Sequence, residues 1–206
     1  MSMLLAFAPF IVFALFDRML GVVPALSAAA LLSAALLLRD WITPKRTVKV
    51  LEIGTALLFG GLALYAVATH TEWSLLGVRL RVDAGLLLVV LASMAIRQPF
   101  TLQYAKEQTP PELWEQPGFR LVNNVITAAW AVAFGLMVLA DVAMIYVPAL
   151  PLWVGIAVTI AAIVGAIRFT KWYPEHMRPN FRLPADTGAH SPTGGAVAGL
   201  VTPWGA

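Results

Sequence analysis

Long apolar stretches are the feature of this sequence that most limits what it can fold into. The runs 50–69 and 121–147 carry one acidic side chain each and no basic one. A helix of about 20 apolar residues crosses the roughly 30 Å hydrocarbon layer of a bilayer. Across the chain, 60% of residues are hydrophobic and only 12% are charged, against about 25% charged in soluble domains. The sequence therefore predicts an all-α, polytopic integral membrane protein built as a helical bundle.

Six apolar segments can be marked, and their lengths set the expected number of crossings. Four of them are long enough to span the bilayer, whereas the first and the fourth are short, and Pro9 interrupts the first. Because a crossing needs about 20 residues, we expect five to six transmembrane segments within one domain, 1–178. Their approximate bounds are 3–16, 19–38, 50–69, 82–97, 121–147 and 150–170.

The distribution of Lys and Arg predicts the orientation of these segments. If all six cross, four basic residues fall in 39–49, three in 97–120 and four in 168–182, all on one face. The positive-inside rule places this face and the C-terminus in the cytoplasm, here of a bacterial inner membrane. Removing the fourth segment would scatter the charges, whereas the first segment hardly affects their balance. Only three basic residues fall on the other face: Arg18, Arg79 and Arg81.

Composition also narrows the classes of function. The formal charge of +3 could indicate nucleic acid, but the cations lie in short loops beside apolar runs, where membrane lipids are the expected partners. The chain has no cysteine, which excludes disulfides and thiolate metal sites, and its three histidines are far apart in the sequence. It contains no nucleophile elbow and no phosphate-binding loop. We therefore predict no nucleic-acid binding, no catalytic residues, no cofactor and no metal.

Two regions outside the apolar segments have a distinctive composition. The connection 98–120 contains four prolines, so it cannot form one continuous helix. The tail 179–206 is rich in Gly, Pro, Ser and Thr, and we expect it to be disordered in the cytoplasm. The larger apolar side chains of the connection are expected in the plane of the membrane interface: Phe100, Leu102, Tyr104, Leu113 and Trp114.

Four polar residues near or within the apolar segments are candidate site residues: Glu52, Asn123, Asn124 and Asp141. An intramembrane carboxylate such as Asp141 is costly and usually faces the bundle interior or a cavity. One interpretation is a proton or cation relay. The other is an interhelical hydrogen bond or a reach to water at the outer interface, and it is favoured because the sequence indicates no second titratable group at similar depth. Glu52 is expected to pair with Lys49, and the asparagines are expected to bond backbone carbonyls or a neighbouring helix.

Small residues recur at every fourth position in three segments, which lets helices approach closely. We expect these stripes to pack within one subunit, and a homo-oligomer stays open as an alternative. The three sets are Ala25, Ala29 and Ser33; Thr127, Ala131 and Gly135; and Ala157, Ala161 and Gly165.

Several short motifs follow one another in a recognisable order. They are Leu4-Leu5-x-Phe7-x-Pro9, Leu58-Phe59-Gly60-Gly61-Leu62, Pro111-x-x-Trp114, Ala129-Trp130 and the basic, aromatic cluster 168–173. In this order and spacing they resemble the intracellular septation protein A family of small bacterial inner-membrane proteins, over roughly residues 4–175. The resemblance implies a non-catalytic role in cell-envelope maintenance, septation or elongation, exerted through membrane protein partners.

The function of Asp141 separates this interpretation from its alternative. Relatives in that family tend to carry an amide near this position, which favours the hydrogen-bonding role. The alternative is a small transporter or permeation pathway for a proton, ion or small solute, which would use Asp141 together with Glu52, Asn123 and Asn124. A water-accessible cavity reaching Asp141 would favour transport, whereas a closed bundle would favour the scaffold.

Overall fold

The computed structural model describes residues 3–43, 47–70, 73–147 and 149–177, so the predicted tail 179–206 lies outside the described residues. All regular secondary structure within these ranges is helical, as predicted. A 3-10 turn at Met3–Phe7 precedes the first α-helix, and a second one, Pro111–Leu113, lies before the sixth. The α-helices are α1 (Ala8–Leu20), α2 (Val22–Ile42), α3 (Val50–Thr69), α4 (Leu75–Ala95), α5 (Phe100–Lys106), α6 (Pro117–Tyr146) and α7 (Leu152–Met177).

Four of these helices are long and apolar enough to cross a membrane: α2, α3, α6 and α7. The protein therefore has the construction of a multi-pass membrane protein. Helix α1 has only 13 residues. Helix α4 has 21 residues, but Arg79, Arg81 and Asp83 make its first half unusually polar for a membrane span. The first and fourth segments, which are the short ones in the sequence, thus differ from the other four in the structure as well.

The helix bounds match the predicted segments unevenly. Helix α3 coincides with the segment 50–69. Helix α4 begins at Leu75 rather than at 82, because Ser74 caps it: the Ser74 Oγ accepts a hydrogen bond from the Gly77 amide over 3.2 Å. Helix α7 runs past 170 to Met177. The early start of α4 matters most, because it brings a charged turn into the helical bundle.

Neighbouring helices in the bundle pack in the order α1, α2, α3, α4, α6, α7. Helices α1 and α7 are the two ends of this row. The N-terminal segment folds back over the row, since the Phe10 ring meets Phe59 of α3 at 4.9 Å and Phe7 stacks on Trp130 of α6 at 5.0 Å. Phe10 packs against both apolar cores, one between α1, α2, α3 and α4 and the other around α6.

Helix α5 is buried, which corrects the expectation of an interfacial position for this part of the chain. Phe100, Leu102 and Tyr104 are all buried. The Thr101 hydroxyl donates to the Asn123 carbonyl over 2.9 Å and lies 2.7 Å from the Thr127 hydroxyl. These bonds dock α5 on the start of α6. They satisfy buried polar groups that a position in the interface would leave to water.

The stripes of small residues have different environments on different helices. Ala25, Ala29 and Ser33 are buried, so the stripe on α2 packs within the subunit as expected. Ala157, Ala161 and Gly165 on α7 are exposed, so the expectation of packing within one subunit is wrong for that stripe.

Two glycines lie close to side chains of the facing helix where α3 packs on α4. A Cβ atom on Gly85 would lie 2.2 Å from Leu58 Cδ1, and one on Gly54 would lie 2.4 Å from Val89 Cγ1. These two glycines let α3 and α4 approach closely.

Candidate functional site

Asp141 lies in the last third of α6 and is completely buried, with 0% of its surface exposed. The Nη2 atom of Arg79 on α4 is 3.5 Å from its Oδ1 atom. Neither carboxylate oxygen of Asp141 has a hydrogen-bond partner in the described part of the chain. The contact is therefore an ion pair rather than the interhelical hydrogen bond expected from the sequence.

Asp83 is the residue that sequence reasoning missed. It follows Arg79 by one helical turn on α4, is only 8% exposed, and lies near enough to Asp141 for the charge of that carboxylate to act on it. The prediction that Asp141 has no titratable neighbour at similar depth is thus wrong. Two ionised carboxylates are both acceptors and repel each other, so the two can form a hydrogen bond only when one of them carries a proton.

Arg79 connects three helices at this point. Besides facing Asp141 on α6, its Nη2 donates to the Thr159 hydroxyl of α7 over 3.1 Å, and Thr159 donates onward to the Gly155 carbonyl over 2.9 Å. An arginine side chain stays charged in any protein environment. We call Arg79, Asp83 and Asp141 the acid–arginine triad. With both carboxylates ionised it has one excess negative charge, and with one shared proton it is neutral.

A cavity of about 560 Å³ adjoins the triad, between α1, α4, α6 and α7. Arg79 and Asp83 line it, together with Asp17 and Arg18 from the last turn of α1, whereas Asp141 lies behind the lining. The remaining lining is largely apolar. A mostly apolar space of this size with a few charged groups at one end is typical of a small-molecule site. Five aromatic side chains contribute to its wall: Phe7, Phe10, Phe13, Trp130 and Phe134.

Aromatic and hydrogen-bonding contacts hold the wall of the cavity together on the side away from the triad. The Phe7 ring stacks on Trp130 with a centroid distance of 5.0 Å. The Trp130 indole donates through Nε1 to the Thr170 hydroxyl of α7 over 3.0 Å. The cavity is therefore polar at the triad and aromatic at Trp130.

Glu52 belongs to a second charged cluster, centred on Lys49 at the start of α3. The Lys49 ammonium is 2.9 Å from Glu107 Oε1, 3.5 Å from Glu52 Oε1 and 3.6 Å from Asp40 Oδ2, and Lys49 is 2% exposed. The predicted Lys49–Glu52 pair is therefore present, within a wider network. Burial alone would lower the pKa of Lys49, but the hydrogen bond to Glu107 and the charges of Glu52, Glu107 and Asp40 raise it above its ordinary value.

The Lys49 cluster leaves almost no free space. The adjoining void is about 10 Å³, roughly what a single water molecule needs. The cluster joins the end of α2, the start of α3 and the residue after α5. Its charges thus connect helices and leave no room for a ligand.

The two asparagines lie at the other end of α6 from Asp141. Asn123 is 1% exposed, and its Nδ2 donates to the Phe119 carbonyl over 2.8 Å. This is a bond to a backbone carbonyl, as expected. Asn124 is exposed on the bundle surface. At 1.5 Å per residue, Asn124 and Asp141 are separated by about 25 Å along α6. The structure therefore does not bring Glu52, Asn123, Asn124 and Asp141 together.

Comparison with family models gave no match, and comparisons with curated proteins and with solved structures gave none either. The resemblance to the septation protein A family stays a prediction based on its motifs.

Proposed function

We propose that this chain is a small membrane transport protein in which Asp83 and Asp141 share an exchangeable proton and the adjoining cavity receives the solute. One observation carries the proposal: two buried carboxyl groups lie side by side on different helices, and one of them lines a cavity. Intramembrane acids with these properties commonly mark proton or ion pathways. The small transporter, the alternative in the sequence analysis, is therefore the function that the site supports best.

A purely structural role would need fewer charges. Arg79 and Asp141 alone would form a neutral pair between α4 and α6, and Asp83 would add only a desolvation cost. Arg79 is in direct contact with Asp141, whereas its charge acts on Asp83 without a direct ion pair between the two described side chains. A carboxyl group that is costly, nearly buried and in the cavity wall is better explained by proton exchange than by packing.

The finer topology is part of the same proposal. We infer that α4 crosses the membrane between α3 and α6, since its charges are confined to its first half and its second half is apolar. Helix α1, with its preceding 3-10 turn, would form a sixth, shorter crossing. The cation-rich loops and the C-terminus then lie in the cytoplasm of a bacterial inner membrane, as the positive-inside rule predicts.

A role in cell-envelope maintenance, septation or elongation is a second proposal, and the motif resemblance supports it. It would involve membrane lipids, membrane protein partners of the envelope or division machinery and, as an open alternative, a second copy of this chain. The chain would act without nucleic acid and without catalytic residues. This cellular role is compatible with proton-coupled transport, because the first names the cellular process and the second names the chemical activity of the protein.

Two measurements on the full chain test the transport proposal. Infrared spectroscopy with isotope-labelled aspartate should show a protonated carboxyl group near neutral pH that disappears in Asp83→Asn. Cationic and anionic solutes should also be added, one at a time, to proteoliposomes that contain a pH indicator. At least one solute should drive proton movement that changes the internal pH, and Asp83→Asn should abolish this change. If no solute moves protons and no protonated carboxyl is found, the proposal is overturned.

A further inference from the structure

We propose that the cavity binds a lipophilic monovalent cation, which takes the place of the proton shared by Asp83 and Asp141. This inference rests on the proposed transport function and adds the chemical class of the solute. It stands on the charges of the lining, on the aromatic wall and on the single positive partner, Arg79, that Asp83 and Asp141 share.

The charges around the cavity favour a cation. Asp17 and Arg18 balance each other, and Arg79 balances only one of the two remaining carboxylates. An unprotonated site therefore has one excess negative charge, in a region where water is scarce and a charge is costly to leave unpaired. A proton or a bound monovalent cation can each neutralise it, whereas an anion would add to the imbalance.

The aromatic wall favours the same class of ligand. The faces of aromatic rings attract cations, most strongly when water is excluded. The ring centroids of Phe10 and Phe59 are 4.9 Å apart in an edge-to-face contact. The ring centroids of Phe7, Trp130 and Phe134 are between 5.0 and 6.3 Å from one another. The rings that line the cavity, those of Phe7, Phe10, Trp130 and Phe134, offer apolar contact to the organic part of a lipophilic cation.

The exchange balances as a proton transfer with no other reactant. In the proposed resting site, Asp83 holds the proton beside the Asp141 carboxylate, which pairs with Arg79. When the cation enters, the O–H bond breaks, the electron pair stays on the carboxyl oxygen, and the proton passes to water. The resulting second carboxylate is the counter-ion of the bound cation.

The charged groups that face this carboxyl pair come from three helices. They are Arg79 on α4 and Asp17 and Arg18 on α1, besides the two acids themselves on α4 and α6. Helix α7 contributes only the neutral Thr159 hydroxyl. Among these groups, the carboxyl pair is the one without enough positive partners, so pH dependence of binding should come from the pair.

A matched pair of probes tests the ligand class directly. Tetraphenylphosphonium and tetraphenylborate have nearly the same shape and opposite charge. Binding of each to the purified full chain in lipid nanodiscs should be measured by titration calorimetry, with proton release followed in weakly buffered solution. Glu115→Gln, which removes an exposed carboxylate far from the cavity, is the control for Asp83→Asn, and Asp83→Glu tests whether an acid restores binding.

The proposal expects the phosphonium ion to bind with release of one proton and the borate ion not to bind. Within the pH range in which the free pair holds its proton, the Kd should rise about tenfold for each unit by which the pH is lowered, because one proton competes with one cation. Asp83→Asn should weaken binding by about tenfold or more, whereas Glu115→Gln and Asp83→Glu should retain it.

Three results would overturn the ligand class. They are equal binding of both probes, phosphonium binding without proton release, and a cavity that retains only lipid acyl chains against excess phosphonium. If the infrared signal of a protonated carboxyl and proton movement by another solute persist, the transport proposal survives and only the cation assignment fails. Loss of all of these signals overturns both.

Discussion

The Arg79 Nη2 atom on α4 lies 3.5 Å from Asp141 Oδ1 on α6, and the same nitrogen donates a hydrogen bond to Thr159 on α7. One guanidinium group thus connects three consecutive members of the helix row. Its position beside Asp83 gives two carboxyl groups a single positive partner. Both the stability of the bundle and its proton chemistry should therefore respond to changes at Arg79, Asp83 and Asp141.

Asp141→Asn should preserve the fold while abolishing proton coupling. Asparagine is nearly isosteric and removes one of the two acids, so Asp83 can ionise and balance Arg79. Asp141→Leu should be worse folded, because it removes the polar contact as well, at a cost of about 1–3 kcal/mol. Proton movement in proteoliposomes and thermal unfolding in detergent would measure the two effects. An Asp141→Asn protein that still moves protons would contradict the role of the pair, and Asp141→Glu is the variant expected to retain some activity.

Arg79→Met should destabilise the protein by about 3–5 kcal/mol near neutral pH, because it leaves two buried carboxyl groups without a counter-ion. The loss should shrink as the pH falls, since protonated carboxyls need no positive partner. The second substitution Asp141→Asn should recover most of the stability in a double-mutant cycle.

Arg81→Met is the matched control for Arg79→Met. Arg81 is exposed and lies over the Trp73 ring at 4.7 Å, so its replacement should cost about 1 kcal/mol or less. Equal losses for both arginine variants, measured by thermal unfolding, would show that the triad has no special importance for stability.

Lys49→Met should cost about 3–5 kcal/mol, because it leaves the buried Asp40 and the half-buried Glu52, with the exposed Glu107 beside them, with too little positive charge. Glu107→Gln in the same chain should restore part of this loss. Lys171→Met, at an exposed position on α7, should change stability by about 0.5 kcal/mol or less. Unfolding monitored by near-ultraviolet circular dichroism would compare the three proteins. If Lys49→Met behaves like Lys171→Met, the network contributes nothing to the fold.

Gly85→Ala should destabilise the α3–α4 contact by about 1–3 kcal/mol, because the added Cβ would meet Leu58 Cδ1 at 2.2 Å. Leu58→Ala in the same chain should relieve the clash. Gly135→Ala is the control: a Cβ there meets nothing within 4 Å, and alanine is the better helix former. The melting temperature should therefore fall for the first variant and stay level or rise for the control. A fall of equal size in both would argue against close packing at Gly85.

The local features of this protein are those that the sequence could predict. The apolar runs determine the membrane class, because no soluble fold can bury so much apolar surface. The bounds of α3 follow from the ends of its apolar run. The Lys49–Glu52 pair could be predicted because the two residues lie within one helical turn of each other. The four prolines of 98–120 predict correctly that this connection is broken into short pieces.

What only the tertiary structure decided is which distant side chains meet. The spacing of Arg79 and Asp83 is visible in the sequence and places both on one face of a helix. That this face turns towards Asp141, on a helix that begins more than 30 residues later, depends on the rotation and register of α4 against α6. Likewise, the burial of α5 depends on Thr101 reaching the backbone of α6. Packing of whole helices sets these contacts, and the hydrophobic pattern of an individual segment contains no information about the partner its polar residues will face.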